Sequence, residues 1–108
     1  MRILKIYIVV LLFSFFLTIN LKADSEKMAL GLEVFNNKAM CGTCHVLKAA
    51  GSTGNIGPDL DSLKLSEEQV KGVVTEGLGV MPAFGEEGLL TSEEIDAVSY
   101  YVTHSSEK

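Results

Sequence analysis

The chain has 108 residues, 47% hydrophobic, 7% aromatic and 21% charged, with no Trp, two Cys and a formal charge of −5. That length holds one small domain and excludes a doubly wound dinucleotide fold with a second domain. The acidic balance argues against nucleic acid as a partner, because phosphate binding needs clustered Lys and Arg.

Two cysteines cannot build the disulfide framework of a small secreted fold. The mean hydropathy of +0.28 is high for a soluble protein and points to a local apolar block. That block comes first in the chain. Arg2 and Lys5 form a basic start, Ile6–Phe13 is unbroken apolar sequence, and Phe15, Phe16, Leu17 and Ile19 extend it. Leu21-Lys22-Ala23 then offers a small residue for cleavage. The pattern is that of a secretory signal peptide, residues 1–23, cut after Ala23. As a helix, Ile6–Leu21 would reach roughly 24 Å, short of the ~30 Å hydrocarbon core, so an uncleaved anchor is the second reading.

Removing 23 of 108 residues leaves 85, and basic residues fall from nine to six against fourteen acidic ones, for a charge of −8. Four aromatics remain in residues 24–108: Phe35, Phe84, Tyr100 and Tyr101. Domains this small often depend on a metal, disulfides or another staple.

Asp24–Asn37 is expected to be a helix, capped by Asp24 or Ser25. Met28, Leu32 and Phe35 recur at helical spacing and should face inward. Gly31 lies on the same side, where it costs about 1 kcal/mol relative to Ala, so a close helix contact is its expected reason.

Cys41-Gly42-Thr43-Cys44-His45 is C-x-x-C-H, the attachment sequence for c-type haem. Two thiols at this spacing reach the two vinyl groups of one porphyrin, and the next residue, His45, is placed to bind the iron. A thioredoxin-like dithiol needs a βαβ context, which is lacking here. A zinc site needs a fourth ligand, and His104 is the only other histidine.

Val46–Asn55 reads as a loop of small and polar residues. Gly57-Pro58-Asp59-Leu60 follows, where the Pro58 carbonyl could accept the Nδ1–H of His45 and orient it. Leu65–Glu76 reads as a second helix, with Ser66 and Gln69 as capping box, Leu65 and Val70 as staple, and Val70, Val73 and Val74 as its apolar stripe. Gly77–Gly88 is a loop containing Met81-Pro82. A thioether opposite His is a recurrent iron pairing. Met81 lies 36 residues after His45, enough chain to pass round the ring, and His104, in the polar end of the chain, is the other candidate for that position. Leu90–Tyr101 is a third helix, with Thr91 and Glu94 as capping box and Ile95, Val98, Tyr101 and Val102 on one face. The fold expected is all-α, three to four short helices wrapped around one covalent haem.

Gly31-x-x-x-Phe35, Cys41-x-x-Cys44-His45, Gly57-Pro58-x-Leu60, Met81-Pro82 and the final helix occur in that order. Together they resemble a class I cytochrome c of the short bacterial type, over nearly all of residues 24–108. The resemblance implies that Cys41 and Cys44 carry the haem thioethers, with His45 as proximal and Met81 as distal iron ligand. It also implies that Pro58 holds His45, that Leu60 packs on the ring, and that Gly31 and Phe35 meet Tyr101 where the first and last helices cross. The chain departs from mitochondrial-type members in its shorter His45–Met81 interval. It has no Trp and no mid-chain Tyr or Arg for the haem propionates, leaving Ser52, Thr53, Asn55 and Lys64 as candidates.

An iron with two protein ligands has no open position, which favours outer-sphere transfer of one electron. The expected role is a periplasmic carrier between a donor dehydrogenase or reductase and a terminal oxidase or reductase. A dedicated haem subunit of a larger complex, and a haem enzyme or sensor with displaceable Met81, are the alternatives. From Glu76 onward seven acidic residues face only Lys108, while Lys38 and Lys48 flank the haem motif. A monomer docking on redox proteins with a basic patch is expected, with no membrane span after cleavage.

Overall fold

The computed structural model describes residues 1–106; Glu107 and Lys108, which enter the charge argument and close the expected 24–108 domain, lie outside the described residues. Helix α1 spans Arg2–Glu33 and continues as a π-helical turn, Val34–Lys38. A 3-10 turn at Cys41–Thr43 leads into strand β1, Val46–Leu47, a second 3-10 turn at Lys48–Ala50, and strand β2, Ser52–Thr53. Helices α2 (Leu60–Leu63), α3 (Glu67–Glu76) and α4 (Ser92–Ser105) complete the described chain.

The expected helix start at Asp24 or Ser25 is not seen. No Gly or Pro separates the apolar segment from the acidic one, so the helix propagates through both, and the amides that Asp24 would cap are already bonded within it. The N-terminal part of α1 stands clear of the rest of the protein, with Ile3–Leu21 exposed. The whole helix, unlike Ile6–Leu21 alone, is long and apolar enough to cross a membrane.

The C-terminal part of α1 packs across α4. A Cβ on Gly31 would lie 2.3 Å from the Ala97 carbonyl oxygen and 2.4 Å from Tyr101 Cβ, so only glycine lets the two backbones touch. Phe35 and Tyr101 meet beside this crossing with ring centroids 6.1 Å apart. The inward stripe differs from the expected one: Leu32 is exposed, and Val34 joins Gly31 and Phe35 in the interior. The face that meets α4 is centred on Gly31, and Leu32 is one residue, about 100°, off that line.

Helices α3 and α4 begin with the expected capping boxes. Ser66 Oγ accepts from the Gln69 amide and Gln69 accepts from the Ser66 amide. Thr91 and Glu94 repeat the arrangement. Val70 and Val74 are buried from α3, and Ile95, Val98, Tyr101 and Val102 from α4, which runs four residues beyond the expected end. Lys27–Glu67, Lys38–Glu94 and Lys71–Asp96 ion pairs tie α1, its π turn and α3 to one another and to α4. The expected loop at 46–55 holds a small antiparallel hairpin, pairing Val46 with Thr53 and Leu47 with Ser52. Leu47 is fully buried and anchors that hairpin in the core.

Candidate haem site

The attachment motif is built on one tight turn. Met40 takes a left-handed conformation, φ 50°, which reverses the chain after the π turn. The amides of both Cys44 and His45 then bond the Cys41 carbonyl, at 3.1 and 3.0 Å. This closes Cys41, Cys44 and His45 into a single turn. Both thiols are free and half-buried. Burial pushes the Cys41 thiol up to about 11, with the neighbouring Cys44 adding to the rise, so the uncoupled thiol stays protonated at neutral pH.

His45 is clasped by the segment around Pro58. Its Nδ1 lies 2.7 Å from the Pro58 carbonyl oxygen. A carbonyl only accepts, so Nδ1 carries the proton and the Nε2 lone pair is left for a metal. The Gly57 backbone lies flat against the ring: a Cβ there would come within 2.5 Å of Cε1, 2.8 Å of Nδ1 and 2.9 Å of Nε2. The Gly57 amide is fixed in turn by the Cys44 carbonyl at 2.7 Å. Leu60 is half-buried against the core at the start of α2, a helix the sequence reading did not foresee. Asp59 directly before Leu60-Asp61-Ser62-Leu63 was its available signal, because Asp is a strong N-cap.

Met81 belongs to a separate segment. Leu78 and Met81 exchange both backbone hydrogen bonds, at 3.2 and 3.0 Å, around a two-residue turn. Directly opposed residues in such a pair project to the same face. Leu78 is therefore a companion of Met81 that the sequence reading missed, although Gly79 in a two-residue span was a turn signal. Met81 is half-buried against the core, and the loop from Gly77 to Ala83 lines an open cleft of about 620 Å³. Pro82 follows Met81, and both Leu89 and Leu90 amides bond the Phe84 carbonyl, which returns the loop to α4.

The structure thus gathers Cys41, Cys44, His45 and Pro58 into one unit and sets Met81 on a loop lining a cleft. Two thiols on one turn and an imidazole with its second nitrogen free fit a covalently held haem, and Met81 supplies a soft thioether from a separate loop. Among the described residues no three His, Cys, Asp or Glu side chains come together as a site for a bare metal ion. His104 stacks on Tyr100 with ring centroids 3.9 Å apart, and its Nδ1 lies 2.8 Å from the Tyr100 carbonyl oxygen. Of the candidates for the propionates, the Ser52 hydroxyl is engaged within the hairpin by the Leu47 amide and carbonyl. The expected cationic flank is also reduced, because Lys38 is paired with Glu94.

The family model described as cytochrome c oxidase, cbb3-type, subunit III matches residues 26–102. The chain is 36% identical to cytochrome c6 of Microcystis aeruginosa over 84 residues, covering 72% of this chain and 96% of that protein. It is 37% identical to cytochrome c6 of Gloeothece citriformis over 84 residues, covering 72% of this chain and 71% of that one. The crystal structure of the c-type cytochrome SorU from Sinorhizobium meliloti superposes with a TM-score of 0.72 at 43% identity, covering 78% of this chain and 95% of that one. The matched regions hold the attachment turn, the strap at Pro58 and the Met81 loop. The chain belongs to the small class I c-type cytochromes: it carries covalent haem c and is an electron carrier, not an enzyme.

Proposed function

We propose that this protein is a periplasmic one-electron carrier whose haem iron is held by His45 and Met81. Residues 1–23 serve as the export signal and are removed after Ala23, leaving 24–108 as the monohaem domain. The bound haem supplies the Fe(III)/Fe(II) couple. The chain's own residues would supply its setting: Cys41 and Cys44 would hold it covalently, Leu60 would pack against it, and the Pro58 carbonyl keeps the proton on His45 Nδ1. The observation that carries this reading is the 2.7 Å contact between His45 Nδ1 and the Pro58 carbonyl, which presents Nε2 as a ligand. With Met81 as the second ligand, no coordination position is open to a substrate, and Met ligation raises the potential.

Electrons pass between a donor dehydrogenase or reductase and a terminal oxidase or reductase. Beside Met81, the exposed Val80 forms an apolar tip, and Glu76 and Glu87 line the same cleft. Glu86 adjoins them in sequence. That surface fits a redox partner with a basic docking patch, met by the protein as a monomer. The second reading, a haem subunit held in a larger complex, is favoured by the oxidase subunit named in the matching family model. It would show as co-purification with a membrane or periplasmic oxidoreductase.

The test uses purified holoprotein. Met81→Ala should abolish the near-infrared Met–iron absorption and lower the reduction potential. Glu86→Lys should slow electron transfer to a basic partner and flatten its dependence on ionic strength. Unchanged absorption and potential would defeat the ligand assignment, and identical salt curves would defeat the docking surface.

A further inference from the structure

We propose that Asp59 and Asp61 are positioning residues for the proximal ligand, clamping the strap whose carbonyl holds His45. The proposal rests on reading His45 as the iron ligand. The strap needs an external clamp. Pro58 has no N–H with which to anchor itself. Upstream, the Gly57 amide is fixed by the Cys44 carbonyl at 2.7 Å. Downstream, the chain enters α2, which has four residues and cannot hold a place by its own hydrogen bonds.

Two carboxylates do the holding. Asp59 Oδ1 accepts from the Asp61 amide at 2.9 Å, which caps α2 directly behind Pro58. Asp61 Oδ2 accepts from the Lys48 amide at 2.9 Å. Lys48 opens the 3-10 turn after β1, three residues beyond His45. The contacts therefore close a ring: His45 to Pro58, Asp59 to Asp61, Asp61 to Lys48, and back along the chain to His45. Each connection is at most 2.9 Å. Both acids act through backbone position and neither touches the imidazole.

Cutting the ring lets the Pro58 carbonyl retreat from Nδ1. A weaker bond at Nδ1 makes the imidazole a poorer donor to iron, which favours the ferrous state and raises the potential. Removing a negative charge near the iron also raises the potential. The two causes separate by substitution. Asn keeps an acceptor oxygen and caps as well as Asp, so it removes the charge and keeps the clamp, whereas Ala removes both.

The experiment compares holoprotein carrying Asp59→Ala, Asp59→Asn, Asp61→Ala and Asp61→Asn. Exchange of the His45 Nδ1–H with solvent is read by NMR in the ferrous state, alongside the potential. Each Ala variant should speed exchange measurably above wild type, because the Pro58 carbonyl that protects Nδ1–H is no longer held in place. Each Asn variant should keep wild-type exchange and show the smaller rise in potential. Wild-type exchange in the Ala variants would overturn the proposal. So would Asn variants that exchange as fast as the Ala ones. Should Asp59→Ala fail to retain haem, the Asp61 pair decides, since Asp61 is not the cap. Failure of the underlying ligand reading shows separately, as a wild-type spectrum without iron-bound imidazole signals.

Discussion

On the proposed proximal side His45 is enclosed: Gly57 lies against its ring, the Pro58 carbonyl accepts a hydrogen bond from its Nδ1–H, and the Cys44 carbonyl binds the strap back to the attachment turn. On the proposed distal side Met81 sits at one end of a two-residue turn beside an open cleft, with Leu78 and Val80 exposed. The difference follows from the two side chains. An imidazole binds iron along one direction, so the protein fixes its plane and its tautomer. A thioether on three rotatable bonds can reach a metal from a range of backbone positions, so a loop carrying a proposed Met ligand needs less exact placement. Rigidity is concentrated where direction matters.

Gly57→Ala tests the rigid side and should have the largest effect. Its methyl would lie 2.5 Å from His45 Cε1, and the ring cannot turn away without losing its hydrogen bond to the Pro58 carbonyl. We expect a loss of about 3 kcal/mol in denaturant unfolding of the holoprotein. A loss below ~1 kcal/mol would show that the proximal strap yields as readily as the distal loop.

Gly77→Ala tests the looser side. Gly77 has φ 73° and ψ 171°, a region reserved for glycine, and a Cβ there would lie 2.7 Å from the Met81 carbonyl oxygen. The expected cost is about 1–3 kcal/mol. Its signature should be one-sided: a weaker near-infrared Met–iron absorption with His45 Nδ1–H exchange unchanged. Disturbance of both would mean that the two sides move as one.

Glu94→Gln probes a link outside both sides and should have the smallest effect. Lys38, and next the Thr91 amide, hold the Glu94 carboxyl below its usual 4.5. A depressed acid contributes stability above its unfolded value, and that stability is lost as pH falls through the folded one. Gln preserves the capping box and cannot titrate. The gap in Tm between wild type and variant should therefore close as pH is lowered below about 4.5. A gap that does not narrow as pH falls below about 4.5 would assign the contribution to packing.

The features legible in the sequence were those whose physics is confined to a turn or two. Ser66 with Gln69, and Thr91 with Glu94, satisfy helix amides within three residues, so their boxes formed where expected. Gly31 was legible because a glycine inside a helical stripe needs a close neighbour, and α4 supplies it. Leu32 was misplaced because periodicity gives a face only to within one residue, and contact with α4 chose Val34. The break at Asp24 was misplaced because capping residues start a helix only where the preceding chain does not already continue it.

The sequence by itself determined the chemistry: two thiols and a histidine on one turn, a thioether 36 residues further along, and an apolar N-terminal segment. These depend on covalent spacing and survive any arrangement of the rest. The tertiary structure alone decided how that chemistry is held. Gly57 against His45, Asp61 against Lys48, and Lys38 against Glu94 join residues 12 to 56 positions apart. No local rule pairs such residues, because their proximity comes from the crossing of α1 and α4 and from burial of Leu47, which carries the hairpin and its attachment turn into the core.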